Sequence, residues 1–133
     1  MIGSDTMRLD LLQGTFGIAR LDGAHAVPDW ASGGELLSIT RTPDELSIVC
    51  DAAKIPQSVR CRGGWRCLKV EGPLDFSLSG VLAALAEPLA RAGIPIFVVS
   101  TFDTDDLLAA GADLDRAVAE LAKARHETRH VRK

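Results

Sequence analysis

The sequence contains no tyrosine, and aromatic residues make up only 5% of its 133 positions. Nucleic-acid-binding domains use aromatic side chains to stack bases and a basic surface to hold phosphates. The formal net charge is -3, and basic residues concentrate only in the last dozen positions. We therefore expect no nucleic-acid partner.

Cysteine is also scarce, since Cys50, Cys61 and Cys67 are an odd number without C-x-x-C spacing. This pattern is typical of reduced thiols rather than of a disulfide framework or a zinc site. No apolar run approaches the roughly 20 residues of a membrane helix. The first six residues lack the charged and apolar regions of a signal peptide. We therefore expect a cytoplasmic protein without a membrane partner.

The second half of the sequence alternates clearly between strand and helix patterns. Residues 65–70 alternate as a half-buried strand, residues 94–99 form a β-branched run typical of a central strand, and residues 105–110 predict a returning strand. Apolar side chains recur at helical spacing between the first two strands and again after the third: Leu78, Val81, Leu82, Leu85 and Leu89, then Leu114, Ala117, Val118 and Leu121. Gly93 predicts a left-handed helix end. Pro88 predicts a kink or an early helix end near residues 84–87.

The first half repeats this order with weaker helices. Residues 16–21, 35–41 and 46–51 predict strands, and Thr42-Pro43-Asp44-Glu45 predicts a type I turn between the last two. Residues 28–31 predict a single helical turn, and residues 52–59 a weak helix or a loop. The turns at residues 42–45 and 100–104 resemble each other, which indicates an internal repeat with a boundary near Gly63-Gly64. The expected class is α+β, ferredoxin-like βαββαβ.

Three segments resemble the ACT domain family. They are V-E-G-P-L-D-F-S-L-S-G at 70–80, A-G-I-P-I-F-V-V-S-T-F-D-T-D at 92–105 and L-S-I-T-R-T-P-D-E-L-S-I-V-C at 37–50. The sequence is most similar to small bacterial proteins with paired ACT modules, related to those of aspartate kinases and to the CASTOR arginine sensors. The resemblance implies two modules with antiparallel sheets, at residues 8–63 with reduced helices and at 64–125. Residues 126–133 are left as a polar, basic tail.

The resemblance also implies a ligand site in the loop between the first strand and first helix of a module, here residues 72–80. A helix N-terminus suits an α-carboxylate, Asp75 or Asp103 could accept an α-ammonium group, and nearby hydroxyls could add hydrogen bonds. The predicted ligand-binding residues are Gly72, Pro73, Leu74, Asp75, Phe76, Ser77, Ser79, Gly80, Ile94, Ser100, Thr101 and Asp103. The simpler alternative is that Ser77 or Ser79 only caps the helix and Asp75 only stabilises a turn.

Three further groups of residues could suggest a functional site, and we expect each of them to have a structural role instead. Asp103, Asp105 and Asp106 match no complete metal loop, so we expect turn and strand-edge roles and no metal. Arg41 could contact an anionic ligand or pair with Asp44 or Glu45, and we expect a local or interface ion pair. Residues 126–130 spell H-E-x-x-H, a zinc-protease signature that requires a buried helix. They lie in a basic, polar stretch, so we expect a solvated tail instead.

The expected function is binding of a small ligand, with an amino acid as the ligand class that the resemblance implies. We expect no catalysis and no cofactor, and a regulatory homodimer is the state that the family suggests. The alternative is an assembly module whose pocket is closed by Leu74 and Phe76.

Overall fold

The computed structural model describes residues 6–72 and 80–130. The strands are β1 (Arg8–Leu11), β2 (Phe16–Asp22), β3 (Ser38–Arg41), β4 (Glu45–Asp51), β5 (Arg60–Val70), β6 (Ile96–Ser100), β7 (Asp105–Ala110) and β8 (Glu127–His130). The helices are α1 (Val81–Arg91) and α2 (Leu114–Lys123), and short 3-10 turns occur at Ala52–Lys54 and Gly111–Asp113. The chain divides into unit 1, residues 1–13 and 66–133, and unit 2, residues 14–65.

Unit 1 is built from both ends of the chain. Its strands follow the order β8-β1-β5-β7-β6. β1 is antiparallel to β5, with Leu9 opposite Val70, and parallel to β8, with Leu9 opposite Thr128. The position beside β5, which a ferredoxin-like module gives to its last strand, is therefore filled by the N-terminal strand.

One apolar cluster joins both helices to the sheet of unit 1. Leu85 and Leu89 of α1 and Leu121 of α2 are at most 1% exposed, as their helical spacing predicts. They pack with buried side chains from β1, β5 and β7: Leu9, Leu11, Leu68, Val70, Leu107 and Ala109. Burial of this cluster is the main stabilising contribution within the unit.

Unit 2 has the strand order β3-β4-β2-β5. Its core consists of Ala19, Ala31, Leu46, Ile48 and Cys50, with Trp30 and Ile55 packed against it. The described residues of this unit contain no α-helix, in agreement with the expectation of reduced helices. A single turn closed by the Ala31 amide and the Pro28 carbonyl stands where a short helical turn was predicted.

Two predictions about the elements are wrong, and two others are wrong in part. β6 pairs with β7 alone among the described residues, so it is an edge strand and not a central one. α1 continues through Pro88 to Arg91, so it does not end early, and the alternative of a kink stays a prediction. Residues 127–130 form β8, so they are not a solvated tail. The Arg41 guanidinium donates to the Gly23 carbonyl oxygen and forms no local ion pair among the described residues, whereas an interface ion pair stays a prediction.

The two hairpin turns have the same hydrogen-bond pattern. The Thr42 amide donates to the Glu45 carbonyl at 2.9 Å, and the Thr101 amide donates to the Thr104 carbonyl at 2.8 Å. Each threonine hydroxyl also accepts from the amide three residues later, at 3.1 Å and 3.3 Å. This likeness supports the internal repeat, which stays a prediction.

Candidate functional site

The candidate site lies at the end of β5, where the chain leaves the sheet. The Glu71 amide donates to the Arg8 carbonyl at 2.8 Å, which fixes the backbone beyond the last strand residue, Val70. The Thr104 hydroxyl donates to the Val70 carbonyl at 2.6 Å and is 6% exposed. The β6–β7 turn therefore lies directly beside the start of the predicted ligand loop.

The β6–β7 turn brings three of the predicted residues together. Ser100 donates its hydroxyl to a carboxylate oxygen of Asp105 at 2.6 Å. The Thr101 hydroxyl stabilises the turn, because it donates to the Thr104 carbonyl at 3.1 Å. Asp103 is exposed at the tip, next to Phe102, whose exposure is 81%. The acceptor that this turn offers to solvent is thus the Asp103 carboxylate.

Helix α1 begins at Val81, and its N-cap residue, Gly80, has a φ of 89° and no side chain to cap the first turn. A Cβ atom at Gly80 would meet no atom of the described residues within 4 Å, so the left-handed φ and not crowding explains the glycine. Amide groups of a first turn that lack a side-chain cap can bind a carboxylate or another anion. The predicted serine caps, Ser77 and Ser79, lie outside the described residues.

The remaining predicted residues fall into two groups. Gly72 is exposed at the end of β5, whereas Ile94 is 3% exposed and belongs to the apolar cluster of unit 1. Ile94 is therefore a core residue of unit 1. The others, Pro73, Leu74, Asp75, Phe76, Ser77 and Ser79, lie outside the described residues.

A charged network beside the site was missed by sequence reasoning. Arg8 contacts Glu71 at 3.3 Å, and Arg129 contacts Glu71 at 3.1 Å and Asp10 at 2.9 Å. Arg8 also contacts Glu127 at 3.3 Å. These residues are up to 119 positions apart in sequence, so only the pairing of β1 with β5 and β8 brings them together.

A second unpredicted feature is the buried pair formed by Cys67 and Asp106. The Cys67 thiol donates to a carboxylate oxygen of Asp106 at 3.7 Å, and the residues are 0% and 4% exposed. Burial raises the pKa of the Asp106 carboxyl, and the nearby Lys69 ammonium opposes that rise. Burial and the Asp106 charge both raise the pKa of the Cys67 thiol. Such a thiol is a weak nucleophile, which fits the structural role expected for buried cysteines.

The H-E-x-x-H match is not on a helix. His126 is 4% exposed, and its Nδ1 atom accepts a hydrogen bond from the Met7 amide at 3.0 Å. Glu127 to His130 form β8, where His130 is exposed. Among residues 6–72 and 80–130, no three His, Cys, Asp or Glu side chains cluster in a way that could hold a metal ion.

Comparison with known proteins identifies the family. Residues 60–123 match a family model described as the ACT domain. Residues 60–123 are therefore an ACT domain. A second model, described as an N-terminal domain, matches residues 14–58. The resemblance inferred from the segments at 70–80 and 92–105 is therefore confirmed for this ACT protein, as is its ferredoxin-like α+β class.

Solved structures agree with this assignment. A crystal structure of a protein from Agobacterium tumefaciens is 47% identical, covers 96% of both chains and has a TM-score of 0.91. A Vibrio cholerae protein of unknown function, described as a possible transport protein, is 21% identical over 91% of both chains, with a TM-score of 0.72. The ligand-free regulatory subunit of aspartate kinase from Thermus thermophilus is 10% identical over 87% of this ACT protein and 93% of that chain, with a TM-score of 0.56. The last two comparisons show the fold alone.

No helix in the described part of the ACT protein is long and apolar enough to cross a membrane.

Proposed function

We propose that this ACT protein is a regulatory module that binds a small ligand, an amino acid, at the end of β5 and catalyses no reaction. The observation that carries the proposal is the hydrogen bond from the Thr104 hydroxyl to the Val70 carbonyl, which places the β6–β7 turn beside the end of β5. Helix α1, which follows the predicted loop in sequence, has glycine at its N-cap and therefore no side-chain cap from that residue. The regulatory subunit of aspartate kinase has the same fold.

The chemistry of this place suits a zwitterion. The first turn of α1 would bind the α-carboxylate through its amide groups. The carboxylate of Asp103, exposed on the β6–β7 turn, or that of Asp75 would accept the α-ammonium group. The proposed ligand residues are those predicted from the sequence at 72–80, with Ser100 and Thr101 shaping the turn and Ile94 in the core of unit 1.

A thermal-shift screen of the twenty amino acids tests this proposal. A ligand present at about 100 times its Kd adds about 2.7 kcal/mol to the free energy of unfolding. For a chain of this size we expect Tm to rise by several degrees. The hit is then titrated by calorimetry against Asp75→Asn and Asp103→Asn. Asp115→Asn, which removes a carboxylate from an exposed position of α2, is the control and should bind like the wild type.

A second candidate function is assembly, and the exposure of one aromatic residue favours it. Phe102 is 81% exposed at the tip of the β6–β7 turn, which is unusual for a large apolar side chain. In this proposal the ACT protein forms a homodimer or docks another protein, and the ligand pocket is closed. Light scattering should then show Phe102→Ser as a monomer and wild type as a dimer, while Val27→Ser, at a 46% exposed position of unit 2, stays dimeric.

The two experiments separate the candidates. A Tm shift with one amino acid, lost in Asp75→Asn or Asp103→Asn, supports ligand binding. Well-folded protein that responds to none of the twenty, together with a dimer that depends on Phe102, would instead favour assembly.

A further inference from the structure

The connection between α2 and β8 has an unusual backbone conformation. The Arg125 amide donates to the Ala122 carbonyl at 2.9 Å, and the His126 amide donates to the Leu121 carbonyl at 2.9 Å. These bonds define a Schellman helix end, in which the residue at the Arg125 position is normally glycine. Arg125 has a φ of 73° and is the one non-glycine residue with positive φ in the described part of the chain. Its Cβ atom makes this conformation unfavourable.

Helix α1 ends in the same type of turn, with glycine at the left-handed position. At the end of α1 the Gly93 amide donates to Ala90 at 3.0 Å, and the Ile94 amide donates to Leu89 at 2.9 Å. Gly93 has a φ of 74°, nearly the value of Arg125. The same turn therefore ends both helices. The left-handed position is occupied by Gly93 after α1 and by Arg125 after α2, just before β8. Glycine adopts a positive φ without a steric cost, whereas arginine does not.

β8 itself carries a second unfavourable feature. The Thr128 hydroxyl oxygen is buried and has no hydrogen-bond partner among residues 6–72 and 80–130. Thr128 lies opposite Leu9, a residue of the apolar cluster, in the β1–β8 register. A buried hydroxyl without a partner loses its bond to water when the strand docks, so docking is less favourable than it would be with valine.

The contacts that hold β8 are few. The strand has four residues and pairs with β1 alone among the described strands. Its ion pairs are exposed, because the side chains of Arg129 and Glu127 are 44% and 62% exposed, and exposed pairs contribute little. The buried anchor is His126, whose Nδ1 atom accepts from the Met7 amide.

β8 is also connected to the candidate site. The Arg129 guanidinium bridges Asp10 of β1 and Glu71, and Glu71 directly precedes Gly72. Undocking of β8 would remove this bridge and leave Glu71 with Arg8. The Arg129–Glu71 ion pair is thus a direct contact between β8 and the residue that precedes Gly72.

We infer that β8 is a releasable strap, a strand that opens about Arg125 by local unfolding while the rest of unit 1 stays folded. Opening relieves the left-handed backbone of Arg125, rehydrates the Thr128 hydroxyl and frees the edge of β1. Local opening of this kind is the expected behaviour of an element with few buried contacts and an unfavourable hinge. The inference concerns the empty chain and does not depend on the proposed ligand.

Residue-resolved hydrogen exchange by NMR on the full chain tests the inference. We expect amides of β8 to exchange much faster than those of β7 in the same molecule. Arg125→Gly and Thr128→Val should each slow β8, with about a fivefold effect for Arg125→Gly. Neither should change the ratio of β7 to β4 rates. Thr40→Val, at an exposed position of edge strand β3, is the control and should leave β8 unchanged.

A third variant tests the connection to Glu71. Arg129→Gln should accelerate exchange in β8 and of the Glu71 amide. Arg91→Gln, which removes a similarly exposed ion pair with Glu87, should affect neither. The inference is overturned if β8 amides exchange as slowly as those of β7, or if Arg125→Gly and Thr128→Val leave β8 rates at the wild-type value.

Discussion

Asp106 shows how a single side chain can carry a pH dependence that its sequence position does not reveal. The carboxyl group is 4% exposed and accepts a hydrogen bond from Cys67, which is itself fully buried. A buried carboxyl favours its neutral form, so its pKa is raised above the ordinary value of 3.8. A group of this kind stabilises the fold most at low pH, and that contribution is lost as the pH rises through its raised pKa.

Asp106→Asn keeps an oxygen acceptor for the Cys67 thiol and removes the charge. We expect the variant to gain stability relative to the wild type as the pH rises from about 4 to about 8, because only the wild type must ionise a buried carboxyl. Urea unfolding at several pH values measures the difference. Asp115→Asn controls for the loss of one carboxylate at an exposed position. A difference between Asp106→Asn and wild type that stays constant with pH would contradict the assignment.

At the scale of elements, the end of β2 packs closely against the β3–β4 turn. A Cβ atom on Gly23 would overlap the backbone of Pro43 and lie 2.8 Å from the Thr42 carbonyl oxygen. The turn is further held to β2 by Arg20, which donates to the Asp44 carbonyl at 2.9 Å. A side chain at residue 23 would therefore force the turn to move away from the end of β2.

Gly23→Ala tests this close approach. The added methyl group meets backbone atoms that cannot rotate away, so we expect a loss of about 1–3 kcal/mol in the free energy of unfolding. Gly63→Ala is the matched control, because a Cβ atom there meets nothing within 4 Å in the described structure. Urea denaturation compares the two variants. Equal stability would mean that the turn moves away from β2 at no cost.

At the scale of the whole molecule, the first strand completes a unit whose other elements follow residue 65. β1 lies between β5 and β8, and Leu9 and Leu11 are 0% and 4% exposed in the apolar cluster. The terminal strands are not equivalent, since β8 lies at the sheet edge and β1 lies inside the sheet. Loss of β1 should therefore damage unit 1 far more than loss of β8.

Two truncations compare these contributions. Removing residues 1–12 should prevent unit 1 from folding, because the cluster loses Leu9 and Leu11 and β5 loses its pairing with β1. Removing residues 126–133 should leave the cluster folded with reduced stability. Methyl NMR signals of Leu107 and Leu121, both buried in the cluster, report the result. Dispersed signals from both residues after the first truncation would show that β1 is dispensable.

Part of the proposed ligand site was predicted from the sequence, and part of its surroundings was not. Ser100, Thr101 and Asp103 were placed on the turn between two strands, and the structure puts that turn beside the end of β5. The Thr104 hydroxyl, which makes the contact, was not singled out, because a threonine in a polar turn has no pattern of its own. Arg129 and Glu71 were missed for a related reason. Charges so far apart in sequence meet only through strand pairing.

The sequence by itself determined the local elements of this protein. The spacing of Leu85 and Leu89 indicates α1, the run at residues 105–110 is β7, and Gly93 ends a helix, since each depends on neighbours within a few positions. Tertiary structure alone decided that β1 completes unit 1, that β6 lies at an edge and that residues 127–130 form a strand. The physical reason is that a four-residue strand has too few local interactions to specify itself. Its conformation is set by the backbone hydrogen bonds and apolar contacts of its partner strand.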